Sequence, residues 1–279
     1  MAQRGTRIAF VGGGTMAEAM VRGLLERKLV TPKSVTVSGP RRERRAELVK
    51  TYRVKAVSSN VEAARGADVV VMSVKPQMLP RVMAELRGKL APDQLVLSIV
   101  AGASSDALRA GLDHASIVRA MPNTPAQVAM GVTVWCATPS VGTGQRDLAR
   151  AMLAALGEEI EVEQEEQVDM ATALSGTGPS YVFLLMEALV DAGVHLGFSR
   201  RVAEELVLRT VEGSALFARR SGRHLAELRN MVTSPGGTSA AALYQLEKGG
   251  LRTVLSKAVY AAYMRTRELG DAAERTGKQ

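Results

Sequence analysis

Ile8-Ala9-Phe10-Val11 runs without a break into Gly12-Gly13-Gly14-Thr15-Met16-Ala17, and helical spacing over residues 16–27 follows at once. A short β-branched run that meets glycines and then a helical period is a strand turning sharply into a helix. In this G-x-G-x-x-A pattern Gly12 permits the tight turn and Gly14 lets the backbone approach a diphosphate. Ala17 lets the helix lie close to the sheet, and the free N–H groups at the helix start would hold the phosphates. The motif alone leaves a glycine-rich turn without a ligand as the alternative. Its place at the first strand of a longer alternation argues for the ligand.

That alternation continues for about 160 residues. Residues 7–11, 34–38, 68–73, 94–99 and 117–121 read as buried strands, and residues 16–27, 43–51, 61–66 and 78–88 read as helices between them. Residues 132–136 and 159–162 are two further strand candidates flanking a helix over 145–156, in a direction the pattern leaves open. Strands alternating with helices make a parallel sheet covered on both faces. From Glu165 the strand signal stops and long helices take over. The expected architecture is an α/β N-terminal Rossmann-type dinucleotide-binding domain (residues 1–164), followed by an all-α C-terminal dimerisation domain (residues 165–279). Dimerisation is expected because residues 180–196 are apolar on nearly every side, and such a helix must be buried all round. A core shared with a second subunit achieves that more easily than a small helical domain alone.

Composition removes several other classes. The chain has 279 residues, 46% hydrophobic and 23% charged, an ordinary globular balance rather than a disordered one. Cys136 is the single cysteine, so no intramolecular disulfide or thiolate metal cluster is possible. Only His114, His195 and His224 could serve zinc, and none pairs with another at helical spacing, so no metal is expected. Glu187, Asp191 and His195 do recur every four residues, which reads as a polar stripe with Asp191 supporting His195. Cys136 itself sits in a strand pattern as a small core residue. A net charge of +8 would suit nucleic acid, but the basic residues are spread along the chain and aromatics make up only 4%, too few for stacking. The apolar run 67–74 is too short to cross a bilayer, and the N-terminus reaches a strand without a signal-peptide core. Neither nucleic acid nor membrane is an expected partner, and the expected location is the cytoplasm.

After the second strand a chain built for NAD usually carries an acid for the ribose 2′-OH. Here the segment is Ser38-Gly39-Pro40-Arg41-Arg42, a hydroxyl and two guanidiniums, which suits a 2′-phosphate. Arg44, Arg45 and Glu47 beyond it read as a solvated helix face. Two later strand ends, Ser73-Val74-Lys75-Pro76-Gln77 and Ser98-Ile99-Val100-Ala101-Gly102, lie where open α/β sheets bind ligands. The small residues at Ala101 and Gly102 leave room for a nicotinamide, and Lys75 is either a charge beside it or a solvated loop residue.

In the helical half, Thr233-Ser234-Pro235-Gly236-Gly237-Thr238-Ser239 precedes a helix over 240–246. It reads equally as a plain capped loop or as a helix start whose N–H groups bind a carboxylate. The glycine loop, the strand ends and this segment, together with Arg119-Ala120-Met121-Pro122-Asn123-Thr124-Pro125 and the run from Ala173 to Phe183 that includes Ser175-Gly176-Thr177-Gly178-Pro179-Ser180-Tyr181, resemble the pyrroline-5-carboxylate reductase family. The resemblance spans residues 8 to about 269. It departs at Ser239, where the family often has threonine.

The resemblance implies NADPH-dependent reduction of 1-pyrroline-5-carboxylate to L-proline, the last step of proline biosynthesis, with NADH accepted less well. It implies cofactor binding by Val11, Gly12, Gly13, Gly14, Thr15, Met16, Ala17, Ser38, Arg41, Arg42, Asn60, Ser73, Val74, Lys75, Pro76, Ala101 and Gly102. It implies substrate binding by Val232, Gly236, Gly237, Thr238 and Ser239, with Ser239 catalytic. A homo-oligomer follows, a dimer at least and commonly a decamer. Two rivals remain at this stage. A β-hydroxyacid dehydrogenase would need a lysine on the helix after Gly178, and residues 181–196 contain none. A regulator that senses NADPH without turnover would have no use for an intact Pro-Gly-Gly-Thr-Ser loop.

Overall fold

A computed structural model of the chain describes residues 5–276, with side chains to residue 270. The first compact unit comprises Met1–Thr177 with Ala261–Gln279, and the second Gly178–Tyr260. In the first unit eight strands form one sheet: β1 (Ile8–Val11), β2 (Val35–Ser38), β3 (Lys55–Val57), β4 (Val69–Met72), β5 (Leu95–Ser98), β6 (Ile117–Met121), β7 (Gly131–Ala137) and β8 (Gly157–Glu161). Their order is β3-β2-β1-β4-β5-β6-β7-β8. Only β6 and β7 pair antiparallel, with Arg119 opposite Cys136. β8 then runs parallel to β7. The strand β3 escapes sequence reading because three residues with an exposed lysine carry almost no periodic signal.

Six helices cover the sheet: α1 (Thr15–Glu26), α2 (Arg42–Tyr52), α3 (Asn60–Ala64), α4 (Leu79–Leu86), α5 (Ser105–Leu112) and α6 (Thr143–Ala154). Alternation along each strand sends its side chains to two separate cores. Ile8 and Phe10 of β1 join Leu24, Leu48 and Leu153 on one face. Ala9 and Val11 join Met72, Leu79, Leu86 and Leu108 on the other.

Past the sheet a helical run, Glu166–His195, comprises α7 (Glu166–Ala171), a widened π turn (Thr172–Gly176) and α8 (Gly178–His195). Buried Arg119 on β6 anchors its start through ion pairs with Glu165 (2.9 Å) and Asp169. Burial works against the Arg119 charge, and the hydrogen bond and attraction of Asp169 outweigh it, so its pKa is raised. Glu165 also accepts the Ser105 N–H at 2.6 Å, tying α5 to the same point.

The second unit adds α9 (Arg200–Ser221), α10 (Leu225–Met231) and α11 (Thr238–Lys248). Helix α12 (Leu251–Thr276) contributes its first part to this unit and its last part to the first unit. Gly193 of α8 lies against Ala203 of α9, where an added Cβ would come within 3.1 Å. Asp191 pairs with Arg200 at 2.9 Å, which corrects the expectation that it supports His195. An arginine opening the next helix reaches the carboxylate as a charged donor. Within one chain α8 is not buried all round: Val190 is covered, while Phe183, Leu184, Leu185 and Leu189 are exposed. Glu166–His195 is also long and apolar enough to cross a membrane by length and composition, a feature that the short run 67–74 did not suggest.

Removing a buried charge that two carboxylates depend on costs about 3 kcal/mol where those carboxylates still reach water. Arg119→Ala is therefore expected to lower the free energy of unfolding by about that amount. Urea unfolding followed by circular dichroism measures it, and an unchanged midpoint would remove the anchor role.

Candidate active site

The carboxyl edge of the sheet is assembled by backbone contacts around one glycine. Gly12, at φ +105°, donates its N–H to Ser38 O at 3.1 Å, tying the end of β1 to that of β2. On its other side a Cβ would stand 2.6 Å from Ser73 O, so only glycine fits. Ser73 Oγ lies within donating distance of Val11 O (3.1 Å) and Gly12 O (2.9 Å). Here the strand order reverses from β1–β2 to β1–β4, the switch point at which such sheets bind ligands.

Gly14 is the N-cap of α1 and makes no side-chain cap, and Thr15, Met16 and Ala17 follow as its first turn. The first N–H groups of a helix have no partner within it. A Cβ at Gly14 would meet nothing within 4 Å, so the space above these N–H groups is open backbone cradle. That opening fits a pyrophosphate. Ala17 is buried and packs the helix onto the sheet.

Beside the cradle lies a pocket of about 80 Å³ lined by Gly13, Gly14, Ser38, Arg41, Arg44 and Arg45, among others. Arg41 caps the start of α2 with its backbone and makes no side-chain cap. Arg42 is exposed and does not line the pocket. Arg44 and Arg45 are not a solvated face. Arg44 Nε donates to Gly13 O at 2.8 Å, and its other nitrogens pair with Glu18 and with Glu47 (2.8 Å). Arg45 donates to Gly39 O at 2.6 Å and to Pro40 O at 2.8 Å. The i, i+3 step from Arg41 puts Arg44 on the face of α2 that looks at the loop, a signal present in the spacing but hidden by the acidic neighbours.

The hydroxyl of Ser38 is fully buried and donates to Asn60 Oδ1 at 2.7 Å. Asn60 opens α3 and donates its amide to Glu85 at 2.6 Å. Ser38 and Asn60, each expected at the cofactor, are thus joined in a fixed polar chain at the edge. Val74 and Pro76 are half-buried beyond β4, and Lys75 is exposed before a 3-10 turn at Pro76–Met78. Ala101 is half-buried after β5. Gly102 departs from expectation. A Cβ there would lie about 3.1 Å from Leu269 Cβ and Gly270 N, so its smallness admits α12 rather than a nicotinamide ring.

In the second unit, Gly236 at φ +70° turns the chain and Gly237 N–H closes the turn onto Ser234 O at 3.0 Å. Helix α11 starts at Thr238, two residues before the sequence expectation, because Gly237 itself takes the extended N-cap conformation. No side chain caps this helix, so the loop is not the ordinary hydroxyl-capped connection. Thr238 and Ser239 lie in the first turn. Val232 closes α10 and is exposed.

Two family models match the chain: pyrroline-5-carboxylate reductase dimerisation, over residues 165–269, and NADP oxidoreductase, coenzyme F420-dependent, over residues 7–102. A relative from Synechocystis sp. named pyrroline-5-carboxylate reductase is 43% identical, over 95% of this chain and 98% of its own length. The chain belongs to the pyrroline-5-carboxylate reductase family. Among solved structures, the pyrroline carboxylate reductase of Plasmodium falciparum, with NADP bound, is similar at TM-score 0.88 and 31% identity, over 96% of this chain and 99% of that one. The pyrroline-5-carboxylate reductase of Coxiella burnetii is similar at TM-score 0.86 and 38% identity, over 95% and 98% respectively. A pyrroline-5-carboxylate reductase is an oxidoreductase, and the match to the dimerisation model makes this one a homo-oligomer. Helix α8, with its exposed apolar face, lies within the matched dimerisation segment.

Burial raises the pKa of Glu18, and the hydrogen bonds from Arg44 and Tyr52 outweigh it, so the net shift is downward. The unfolded chain therefore takes up this proton at a higher pH than the folded one. The stabilisation is present above the ordinary glutamate range and is lost as pH falls through the lower folded value. Acid unfolding of Glu18→Gln should accordingly show a shallower loss of stability below that range than wild type. Parallel curves would remove Glu18 from the loop's support.

Proposed function

We propose that this chain reduces the cyclic imine of 1-pyrroline-5-carboxylate to L-proline with NADPH, with NADH accepted less well, completing proline biosynthesis. The observation that carries the reading is the open backbone cradle at Gly14, in a chain that belongs to this family. When bound, the reduced nicotinamide supplies the hydride that turns the imine carbon into the amine carbon of proline.

Residues 11–17 hold the diphosphate on the α1 N-terminus. Arg41, with Arg42, meets the 2′-phosphate, and the Ser38–Asn60 pair shapes the pocket at that end. The segment Ser73–Pro76 and Ala101 border the nicotinamide half, with Gly102 packed under α12. Gly236 and Thr238 offer backbone N–H groups to the substrate carboxylate, Gly237 holds the turn through its bond to Ser234 O, and Val232 is an apolar neighbour. Ser239 holds the imine nitrogen through its hydroxyl. A serine hydroxyl is too weak an acid to protonate the imine outright, so it orients the nitrogen or passes a proton from water.

The same reading covers partners and place. The dimerisation segment starts at Glu165 while the compact division falls after Thr177, the assembly is a dimer at least, and further assembly to a decamer belongs to the family pattern. No role is assigned to nucleic acid or membrane: Arg44, Arg119 and Arg146 are engaged by carboxylates, and Glu166–His195 lies within the dimerisation segment. The proposed location is the cytoplasm.

Ser239→Ala is expected to lower turnover about 100-fold while NADPH affinity stays near wild type, and Ser239→Thr should remain active. Steady-state assays of NADPH oxidation with pyrroline-5-carboxylate decide this, and full activity in the alanine variant would move the role to Thr238 or a water. Changing Arg41 and Arg42 together to Ala should raise the KM for NADPH about ten- to a hundredfold more than that for NADH. Equal effects on both cofactors would sink the 2′-phosphate assignment.

A further inference from the structure

Strand β6 runs parallel to β5, so Met121 leaves the sheet at the same carboxyl edge as the glycine loop and the turn after β5. In the order β1-β4-β5-β6 it stands three strand steps from β1, roughly 14 Å at the usual spacing. That is the side of the switch point away from Arg41 and Asn60, where the nicotinamide half of a dinucleotide extends.

The residue just past that strand end is Asn123, 9% exposed, and both ends of its amide are engaged. Oδ1 accepts the Val132 N–H at 3.0 Å, and Nδ2 donates to Ser175 O at 3.2 Å. Ser175 belongs to the π turn Thr172–Gly176, in which the Thr177 N–H reaches back to Thr172 O at 2.8 Å. Gly176 in the same turn rests on Met121, where a Cβ would stand 2.9 Å from Cε. A π turn inside a helix is poorer in hydrogen-bond geometry than α and occurs mostly at functional sites. Here a buried amide and a glycine contact fasten it to the edge of the sheet.

We propose that Asn123 is a positioning residue for hydride transfer: it clamps the π turn Thr172–Gly176 against the end of β6, and the clamped turn walls the nicotinamide subsite. Asn123 touches neither substrate nor reacting atoms. It acts through the backbone of Ser175, so loosening it lets the ring wander while the diphosphate grip on α1 is untouched. This inference rests on the cofactor and reaction proposed above.

Asn123→Asp keeps the acceptor for Val132 N–H and loses the donor to Ser175 O. Gly176→Ala presses a methyl group on Met121 and disturbs the clamp from the other side. For both, the expected result is a turnover lowered roughly tenfold or more, as misplacement of about an ångström brings. The dissociation constant for NADPH should stay within about twofold of wild type, with the nicotinamide fluorescence of bound NADPH altered. Wild-type turnover and fluorescence in both variants would overturn the proposal. So would a loss of NADPH affinity as large as the loss of turnover, since that describes general damage. A wild-type protein that binds NADPH but does not oxidise it with the imine would sink the reaction alone, and the fluorescence comparison would still decide the clamp. A wild-type protein that binds no NADPH overturns both.

Discussion

The position of Gly12 between Ser38 O and Ser73 O is the constraint on which the rest of the first unit depends. It joins the ends of three adjacent strands through one residue that has no side chain to place. Were any Cβ present, the end of β4 would have to move away from β1, and the crevice at the strand-order reversal would change shape. The direction of α1 follows from that turn, and with it the aim of the N–H groups over Gly14. Arg44 then locks the loop from outside, binding Gly13 O with one nitrogen and the first-turn acid Glu18 with another. An acid so close to an anion site would repel it, and the guanidinium balances that charge.

The sheet shows which features a sequence can display. The strands β1, β2, β4, β5 and β6 are buried runs bounded by turns, and those are legible because burial on both faces leaves an unbroken apolar signature. The edge strand β3 is too short to have one, and β7 pairs antiparallel to β6 in a way that no periodicity encodes. At the candidate site the glycine motif is legible because each glycine has a steric reason that a spacing rule captures. Arg44, Arg119 and Asn123 were not, or were read as something blander. Their roles depend on partners 26 to 52 residues away, and a sequence met alone does not say which acid or carbonyl waits there. Gly102 illustrates the opposite error, since a small residue at a strand end looks like room for a ligand whether a ligand or a helix fills it.

The helical unit is apolar in a way that one copy cannot satisfy. Helix α8 meets α9 through Gly193 and Ala203, small residues that bring the two backbones close, yet most of its large side chains remain uncovered. An exposed apolar face of this kind marks a surface for association, in keeping with the match to the dimerisation model. The same segment would pass a membrane test on composition alone, so its family membership matters to how its surface is understood.

The contact between Gly102 and Gly270 has a consequence for the way the chain is made. The loop after β5 is covered by Thr266, Leu269 and Gly270, residues that follow the whole second unit in the sequence. During synthesis, about 5 to 20 s separate the appearance of Thr177 from that of Thr266 at ordinary elongation rates. Throughout that interval the sheet can form while the loop after β5 stays uncovered. The first unit is therefore the first to begin and the last to be finished, and the second folds as an insertion within it.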